Sequence, residues 1–266
     1  MAGEFEDDDG LALSRRQLLK ASVATVGAIG MVGASSGASA VEVVSANVQG
    51  AAAGRIAAAR YLLRRLKQLG CATLFGVPGK TCEAMFANAA AEAMQLVVHS
   101  SDLEAGYAAD AYARMRGIGA VSVTHGVGML SLVNAVAGAY AEKSPLVVIN
   151  GGPSNAELDF QNANDIRFTH SIGRIGAADA AVDARRREAA SDLAMFRPVT
   201  VFAERITSAD RLADRVDTAL KAAISQQRPV YLEIARNVME AAVDAPTRPL
   251  RATFPASGNE AAIAGE

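Results

Sequence analysis

Residues 101–145 read SDLEAGYAADAYARMRGIGAVSVTHGVGMLSLVNAVAGAYAEKSP, and this stretch decides the fold. Its first part begins with a Ser-x-x-Glu capping pattern and continues as a predicted helix that stops at Gly117. The apolar strand AVSVTH follows, and a turn with Gly126 and Gly128 leads into a second, alanine-rich helix. This succession of helix, strand and helix is typical of an α/β layer structure.

The same alternation continues on both sides of this stretch. A predicted helix starts near residue 51, carries Ile56, Leu63 and Leu66 on one face, and stops at Gly70. Six apolar runs are predicted as strands: CATLFGV, QLVVHS, AVSVTH, PLVVIN, PVTVFAE and PVYLEIA. Strands that are apolar throughout are covered on both faces, which predicts a three-layer α/β fold, a parallel sheet of about six strands with helices on both faces. The stretch GGPSNAELDFQNANDIRF is predicted as a loop.

Length, charge and cysteine content narrow the possible functions. The chain has 266 residues, which favours one large domain with tails, and 51% of the residues are apolar. A formal charge of −2 without an extended run of Lys or Arg argues against a nucleic-acid partner. Cys71 and Cys82 are placed at opposite ends of a strand and its following turn, too far apart for a disulfide bond. They also lack the spacing of metal ligands.

The first forty residues resemble a twin-arginine (Tat) export signal. Residues 14–20 read SRRQLLK, an apolar Gly/Ala-rich run follows, and Ala38-Ser39-Ala40 gives a small-x-small cleavage pattern. We therefore expect an exported, periplasmic or extracytoplasmic protein that meets the membrane only through this signal. The expected organisation is a signal peptide at 1–40, a linker at 41–50, one domain at 51–240 and an extended linker or tail at 241–266.

Ligands of parallel sheets bind outside the carboxyl ends of the strands. The capping pattern explains Glu104 well, but it explains Asp102 only partly, through the preference of the first helical turn for acids. The glycines at 126 and 128 would let backbone approach a ligand, although a tight turn alone would also account for them. The expected carboxyl ends lie at residues 76–80, 99–104, 124–128 and 150–154.

Several segments together resemble one known domain: GVPG at 76–79, residues 101–120, residues 125–154, FTHSIG at 168–173 and RPVYLEIARN at 228–237. They are similar to the flavodoxin-like, pyrimidine-binding (PYR) domain of thiamine-diphosphate enzymes. The similarity is closest to the pyruvate and indolepyruvate decarboxylase branch and more distant to acetolactate synthases. The resemblance runs over most of residues 55–245, and it implies a lyase or transferase that is active only as part of a complex.

The resemblance also implies roles for individual residues. In that family the domain binds the aminopyrimidine half of thiamine diphosphate, and a glutamate at the position of Asp102 hydrogen-bonds the ring nitrogen and favours the imino tautomer. That tautomer deprotonates the thiazolium carbon, which then attacks a 2-oxo acid. Asp102 is therefore the expected catalytic residue. The expected cofactor-binding residues are Pro78, Gly79, Asp102, Thr124, Gly126, Val127 and Gly128.

The chain departs from the family pattern at three positions. Asp102 is one methylene shorter than glutamate, about 1.5 Å of reach. Lys80 stands where the decarboxylases carry an aspartate, which inverts the local charge. Thr169 replaces the first of two histidines and leaves His170 alone, either as a ligand contact or as an ordinary loop residue. Lys80 and His170 are the candidates for the substrate side of the site.

The family holds the cofactor's diphosphate through Mg²⁺ in another domain with a Gly-Asp-Gly…Asn signature, and residues 41–266 contain no such motif. We therefore expect no metal site on this chain, with Mg²⁺ on a partner that shares thiamine diphosphate with it. The first hypothesis is the pyrimidine-binding subunit of a split enzyme, a homodimer or heterotetramer. The alternatives are an exported, non-catalytic binding or scaffolding module and a truncated gene product.

Overall fold

The computed structural model describes residues 54–164 and 192–252. Two of the described strands form a small antiparallel ribbon, and the other six form one sheet. The strands are β1 (Arg55–Ala57), β2 (Thr73–Gly76), β3 (Gln95–Val98), β4 (Gly119–Thr124), β5 (Leu146–Gly152), β6 (Phe202–Ile206), β7 (Val230–Ala235) and β8 (Ala242–Asp244).

Helices connect most of these strands. Short 3₁₀ turns follow the second helix and the seventh helix, at Ala90–Glu92 and Arg197–Val199. No helix in the two described ranges is long and apolar enough to cross a membrane. The helices are α1 (Ala58–Gln68), α2 (Glu83–Ala89), α3 (Asp102–Arg116), α4 (Val127–Ser131), α5 (Val133–Ala141), α6 (Asn155–Asn164), α7 (Leu193–Phe196), α8 (Ala209–Gln226) and α9 (Arg236–Met239).

The six-stranded sheet is parallel throughout and runs in the order β3-β2-β4-β5-β7-β6. After β2 the chain moves outward to β3, and α3 then carries it back across β2 to β4. The strand order therefore reverses between β2 and β4. In doubly wound sheets this reversal opens a crevice at the carboxyl ends of the two strands, where ligands bind.

Two apolar layers cover the faces of this sheet. In β5, Val147 and Ile149 point to the layer that contains α1 and α8. Their neighbours Leu146 and Val148 point to the layer that contains α3 and α5. Because successive strand residues face opposite sides, both sets are fully buried. The predicted α/β fold with a parallel sheet between helices is confirmed.

The ends of the described unit differ from the prediction. Ile56 was expected on the first helix, but it lies in β1 and pairs with Val243 of β8. Gly54, with a φ of 97°, precedes this strand, and its carbonyl accepts a hydrogen bond from Ala245 N at 2.8 Å. The expected extended linker from residue 241 is thus corrected for residues 242–244, whose backbone is used in the ribbon.

Helix α6 lies inside the stretch that was predicted as a loop. The reason is a capping box that the glycine-rich composition obscured. Glu157 N donates to Ser154 Oγ at 3.2 Å, and Ser154 N donates to Glu157 Oε2 at 2.8 Å. Two smaller differences concern element ends: the helix expected after Gly126 is divided at Leu132 into α4 and α5, and the fifth sheet strand starts only at Phe202.

Candidate functional site

The candidate site lies where the strand order reverses, at the carboxyl ends of β2 and β4. Three segments leave the sheet here: the turn after β2, the start of α3 after β3, and the turn after β4. Because all the strands run in the same direction, these segments meet at one edge of the sheet. The cofactor-binding residues that the sequence predicted lie in these segments or directly beside them.

Asp102 is the first residue of α3, and the capping groups around it leave it free for another role. Ser101 is the N-cap, and its Oγ accepts from Glu104 N at 3.3 Å. Glu104 is occupied in turn, because Ser100 Oγ donates to its Oε2 at 2.7 Å. Asp102 Oδ1, by contrast, is buried and has no hydrogen-bond partner within the described part of the chain. Its burial raises the pKa of the Asp102 carboxyl group.

Asp102 points toward the glycine turn after β4. A methyl group added at Gly128 would lie 3.2 Å from Asp102 Oδ1 and 2.8 Å from Thr124 Cγ2. A residue with a side chain at position 128 would therefore fill the space beside the carboxylate, whereas glycine leaves this space open. Gly126 caps α4 with a φ of 78°, a backbone conformation that favours glycine.

The turn after β2 is tied to the turn after β4. Thr81 Oγ1 lies 3.0 Å from Thr124 Oγ1 and accepts from His125 N at 3.0 Å. Gly79 packs against the same threonine, because a methyl group added there would lie 3.0 Å from Thr124 Cβ. Pro78 in this turn is exposed. The structure thus brings Gly79 and Thr124 together.

Lys80 takes part in an ion cluster at the mouth of the site. Its Nζ lies 3.8 Å from Glu157 Oε1, which also accepts from Arg236 Nη2 at 3.0 Å. Burial alone would raise the pKa of Glu157. The hydrogen bonds from Ser154 and the charges of Arg236 and Lys80 outweigh this, so the pKa of Glu157 is lowered. The substrate-side candidate His170 and its neighbour at position 169 lie outside the described residues.

A buried polar network below the glycine turn was not predicted from the sequence. Asp192 Oδ2 accepts from Gly126 N at 2.8 Å and from Asn150 Nδ2 at 3.2 Å, and it lies 3.2 Å from His125 Nδ1. Burial raises the pKa of the Asp192 carboxyl group, and His125 opposes this shift. The polar residue at position 150 inside an apolar strand was a usable signal, whereas nothing in the sequence around Asp192 pointed to this role.

The network continues under the neighbouring strands. Asn150 Nδ2 lies 2.6 Å from Tyr231 Oη, which donates to Glu233 Oε2 at 3.1 Å. Arg205 Nε lies 3.3 Å from Glu233 Oε1. Burial, together with the charges of Glu233 and Asp192, raises the pKa of Tyr231 well above its usual range. These side chains link the strand ends beneath the site. We call this set the buried polar network: His125, Asn150, Asp192, Arg205, Tyr231 and Glu233.

Comparison with known proteins gives consistent matches. Residues 56–171 match the family described as "Thiamine pyrophosphate enzyme, N-terminal TPP binding domain". Pyruvate decarboxylase 2 of Oryza sativa subsp. japonica is 38% identical over 190 residues, which cover 70% of this chain and 28% of that protein. Pyruvate decarboxylase 2 of Arabidopsis thaliana and pyruvate decarboxylase 1 of Zea mays are each 38% identical over 183 residues, 67% of this chain and 27% of each protein.

The chain thus spans little more than a quarter of the length of these relatives. The matched residues 56–171 include Gly79, Asp102, Gly126 and Gly128, so the segments that meet at the carboxyl edge fall within the similarity. Residues 56–171 of the α/β unit are therefore similar to the N-terminal, pyrimidine-binding domain of the thiamine-diphosphate-dependent enzymes, and the unit is related to pyruvate decarboxylases.

Proposed function

We propose that this domain binds the aminopyrimidine half of thiamine diphosphate at the carboxyl edge, as one part of a 2-oxo acid decarboxylase or carboligase. One observation carries the proposal: Asp102 Oδ1 is buried beside Gly128 and has no partner among the residues described. A buried carboxylate oxygen without a partner costs free energy, and the ring nitrogen of a bound ligand would satisfy it.

The surroundings of Asp102 fit such a ring. Gly128 leaves space next to the carboxylate, and the two tied turns supply backbone groups around it. When bound, thiamine diphosphate supplies carbanion stabilisation, the chemistry by which a bond to the carbonyl carbon of a 2-oxo acid is broken or formed. Asp102 would orient the ring, and its raised pKa favours sharing a proton with a ring nitrogen.

The diphosphate half of the cofactor needs a metal and several donors, and we propose that a partner chain with a Mg²⁺ site supplies them. Within residues 54–164 and 192–252, no three His, Cys, Asp or Glu side chains are grouped as they would be for a metal ion. The similarity to proteins about two and a half times as long supports a larger assembly as the active form.

An apolar stripe on the outer face of α3 is a suitable surface for that partner. Tyr107 is 46% exposed and Met115 is 83% exposed, at a spacing that puts both on one side of the helix. Val127, the first residue of α4 after the glycine turn, is 51% exposed as well. Exposed apolar side chains in a continuous patch mark interaction surfaces. A partner seated here, in a homodimer or heterotetramer, would cover the edge that holds Asp102.

Lys80 gives the site a cation where the decarboxylases are expected to carry an acid. Its ammonium group is 76% exposed and is held near the edge by Glu157. A cation in this position would attract the carboxylate of a 2-oxo acid rather than repel it. We propose that Lys80 lies on the substrate side of the site, together with His170.

Calorimetric titration of thiamine diphosphate with Mg²⁺ tests the proposal. The titrant is added to the full chain alone and to the chain mixed with a candidate partner that carries a Gly-Asp-Gly…Asn signature. We expect binding at least about tenfold tighter in the mixture. Absence of binding in both samples would remove the enzyme proposal.

A pair of variants identifies the carboxylate that acts. In an active mixture, Asp102→Ala should abolish turnover, whereas Glu104→Ala, two positions along the same helix, should retain most of it, because Glu104 contacts the exposed Ser100. Asp102→Glu should raise turnover by restoring the missing methylene. Unchanged turnover in Asp102→Ala would mean that another group activates the cofactor.

The alternative function, a non-catalytic binding or scaffolding module, is favoured by two observations. Lys80 and Glu157 form an ion pair at the mouth of the site, and Asp102 has a shorter side chain than glutamate. Under this alternative the outer stripe of α3 still binds a partner. Partner binding without cofactor binding in the titration would support it.

We also propose that residues 1–40 direct export by the twin-arginine route. The paired Arg15-Arg16 before an apolar run supports this proposal. A reporter fused after residue 50 should leave the cytoplasm, and replacing both arginines by lysine should retain it there. Export of the double variant at the original level would contradict the proposal.

A further inference from the structure

A second concave surface lies on the opposite side of the molecule from Asp102. Arg65 is in the last turn of α1, which leads to the amino end of β2, and Lys221 is in the second half of α8, which leads to the amino end of β7. The pocket they line with the 248–251 segment has a volume of about 520 Å³. This size is within the range of roughly 300–1,000 Å³ that is typical of small-molecule sites.

The 248–251 segment, which we call the strap, is fixed to α1 by partly buried polar contacts. Arg65 Nη1 donates to Arg248 O at 2.7 Å and to Gln68 Oε1 at 2.9 Å. The same Gln68 oxygen accepts from Leu250 N at 3.0 Å, and the Leu250 side chain is buried. The backbone of the strap is therefore held in place, and this fixes the positions of the Cα atoms from which its two arginine side chains extend.

The charge of this pocket is strongly positive. Asp217 is the one acid among the described lining residues, and it is already paired with Arg65 Nε and Nη2 at 2.8 and 2.7 Å. Tyr61 Oη also donates to this carboxylate, at 3.0 Å. Lys221, Arg248 and Arg251 have no ion pair within the described part of the chain. Three cations that surround one concavity without counter-charges favour a multiply charged anion.

We propose that this pocket binds a small molecule that carries a diphosphate group. Guanidinium groups bind phosphate oxygens through two parallel hydrogen bonds, and a lysine adds a compact charge. The volume exceeds the need of a single inorganic ion, so the ligand has an organic part that contacts Pro249 and the stem of Lys221. The pocket is independent of the site at the carboxyl edge, and this assignment does not rest on the function proposed above.

Titration of inorganic pyrophosphate into the ¹⁵N-labelled full chain without Mg²⁺ tests the assignment. We expect saturable shifts of the Leu250 and Arg251 amide signals, while the signals of Asp102 and Gly128 stay unchanged. Shifts confined to the carboxyl edge, or a linear response without saturation, would overturn the assignment.

Matched variants distinguish binding at this specific pocket from general attraction between the anion and the positive charges of the chain. The double variant Lys221→Gln/Arg251→Gln should weaken pyrophosphate binding by about tenfold or more. Lys143→Gln removes an exposed lysine at the end of α5 and should leave the dissociation constant unchanged. An equal loss in Lys143→Gln would mean that only net charge matters, which contradicts the proposal.

A neutral variant tests the role of the strap. Gln68→Ala changes no charge but removes the acceptor of Leu250 N, so we expect binding to weaken by about threefold. Unchanged binding in this variant would overturn the claim that the fixed strap is part of the site. Circular dichroism of each variant checks that the fold is retained.

Discussion

Two aspartates at the same edge of the sheet have opposite surroundings. Asp192 Oδ2 has three polar neighbours below the glycine turn, at Gly126, Asn150 and His125. Asp102 Oδ1, above the same turn, has none within the described ranges. Burial raises the pKa of both carboxyl groups. The difference shows that burial alone does not define a functional group: Asp192 supports the turn, whereas Asp102 is left available for a ligand.

The largest expected effect concerns the aspartate with partners. Asp192→Ala would leave Gly126 N–H without its acceptor and would remove the carboxylate beside the Asn150 amide and His125, so the free energy of unfolding should decrease by about 2–4 kcal/mol. Urea unfolding measures this change. Asp214→Ala, on the exposed face of α8, is the control and should stay within about 0.5 kcal/mol. A similarly small change in Asp192→Ala would show that the network does not stabilise the edge.

The space beside Asp102 can be tested next. Gly128→Ala would bring a methyl group within 2.8 Å of Thr124 Cγ2, and the overpacking should lower stability by about 1 kcal/mol and prevent cofactor binding. Gly138→Ala, in α5 with no atom within 4 Å of the added methyl group, should instead raise stability by about 0.5–1 kcal/mol. Equal effects of the two substitutions would contradict the close approach at Gly128.

The aspartate without a partner should give a smaller effect with a distinctive pH dependence. A carboxyl group whose pKa is raised by folding binds its proton more tightly in the folded chain, so its contribution to stability decreases as the pH rises through that pKa. Asp102→Asn should therefore be more stable than the original chain at pH 7, by about 0.5–1 kcal/mol. The gain should disappear below about pH 4, near the ordinary aspartate pKa.

The measurement is the melting temperature as a function of pH. Glu104→Gln is the control with the opposite sign, because the hydrogen bond from Ser100 lowers the pKa of Glu104. That stabilisation is present above the ordinary glutamate pKa and is lost in acid. The control should therefore be less stable than the original chain at pH 7. A loss of stability in Asp102→Asn as well would mean that its carboxylate has a partner in the folded chain.

The last prediction concerns the reactivity of the cysteine thiols, one of which, Cys82, follows the turn after β2. Burial raises the pKa of Cys82 to about 12, with a further contribution from the charge of Asp102, and burial also raises the pKa of Cys71 to about 12. At pH 8 both thiols should react with iodoacetamide roughly a thousandfold more slowly than in unfolded chain. Mass spectrometry follows the reaction. Rapid labelling of Cys82 alone would show that the turn opens and exposes Asp102's surroundings.

The sequence predicted the sheet because its strands carry a strong, uniform signal. Uninterrupted apolar runs such as PLVVIN are buried on both faces, and their partners are then restricted to neighbouring strands of the same kind. The antiparallel ribbon was missed because Arg55–Ala57 is too short to show a period and pairs with residues nearly two hundred positions away. Helix α6 was missed because glycine and asparagine outweighed the capping box at Ser154.

The site could be predicted only where local sequence fixes it. Asp102 and the glycines of the following turn belong to short motifs next to strand ends, and the structure brings them together at one edge. Asp192 could not be found in this way, because its role depends on a contact with Gly126 across many intervening residues. No pattern around position 192 distinguishes it from a solvated acid.

The ribbon of β1 and β8 has a consequence for how this unit is connected to other sequences. Arg55 pairs with Asp244, and Gly54 O accepts from Ala245 N, so the chain enters and leaves at neighbouring points. A unit with adjacent ends can be spliced into a loop of a host protein, or closed into a circle by a short peptide, without disturbing its core. The 54–245 segment could therefore be joined to a host protein through a single attachment point at the ribbon.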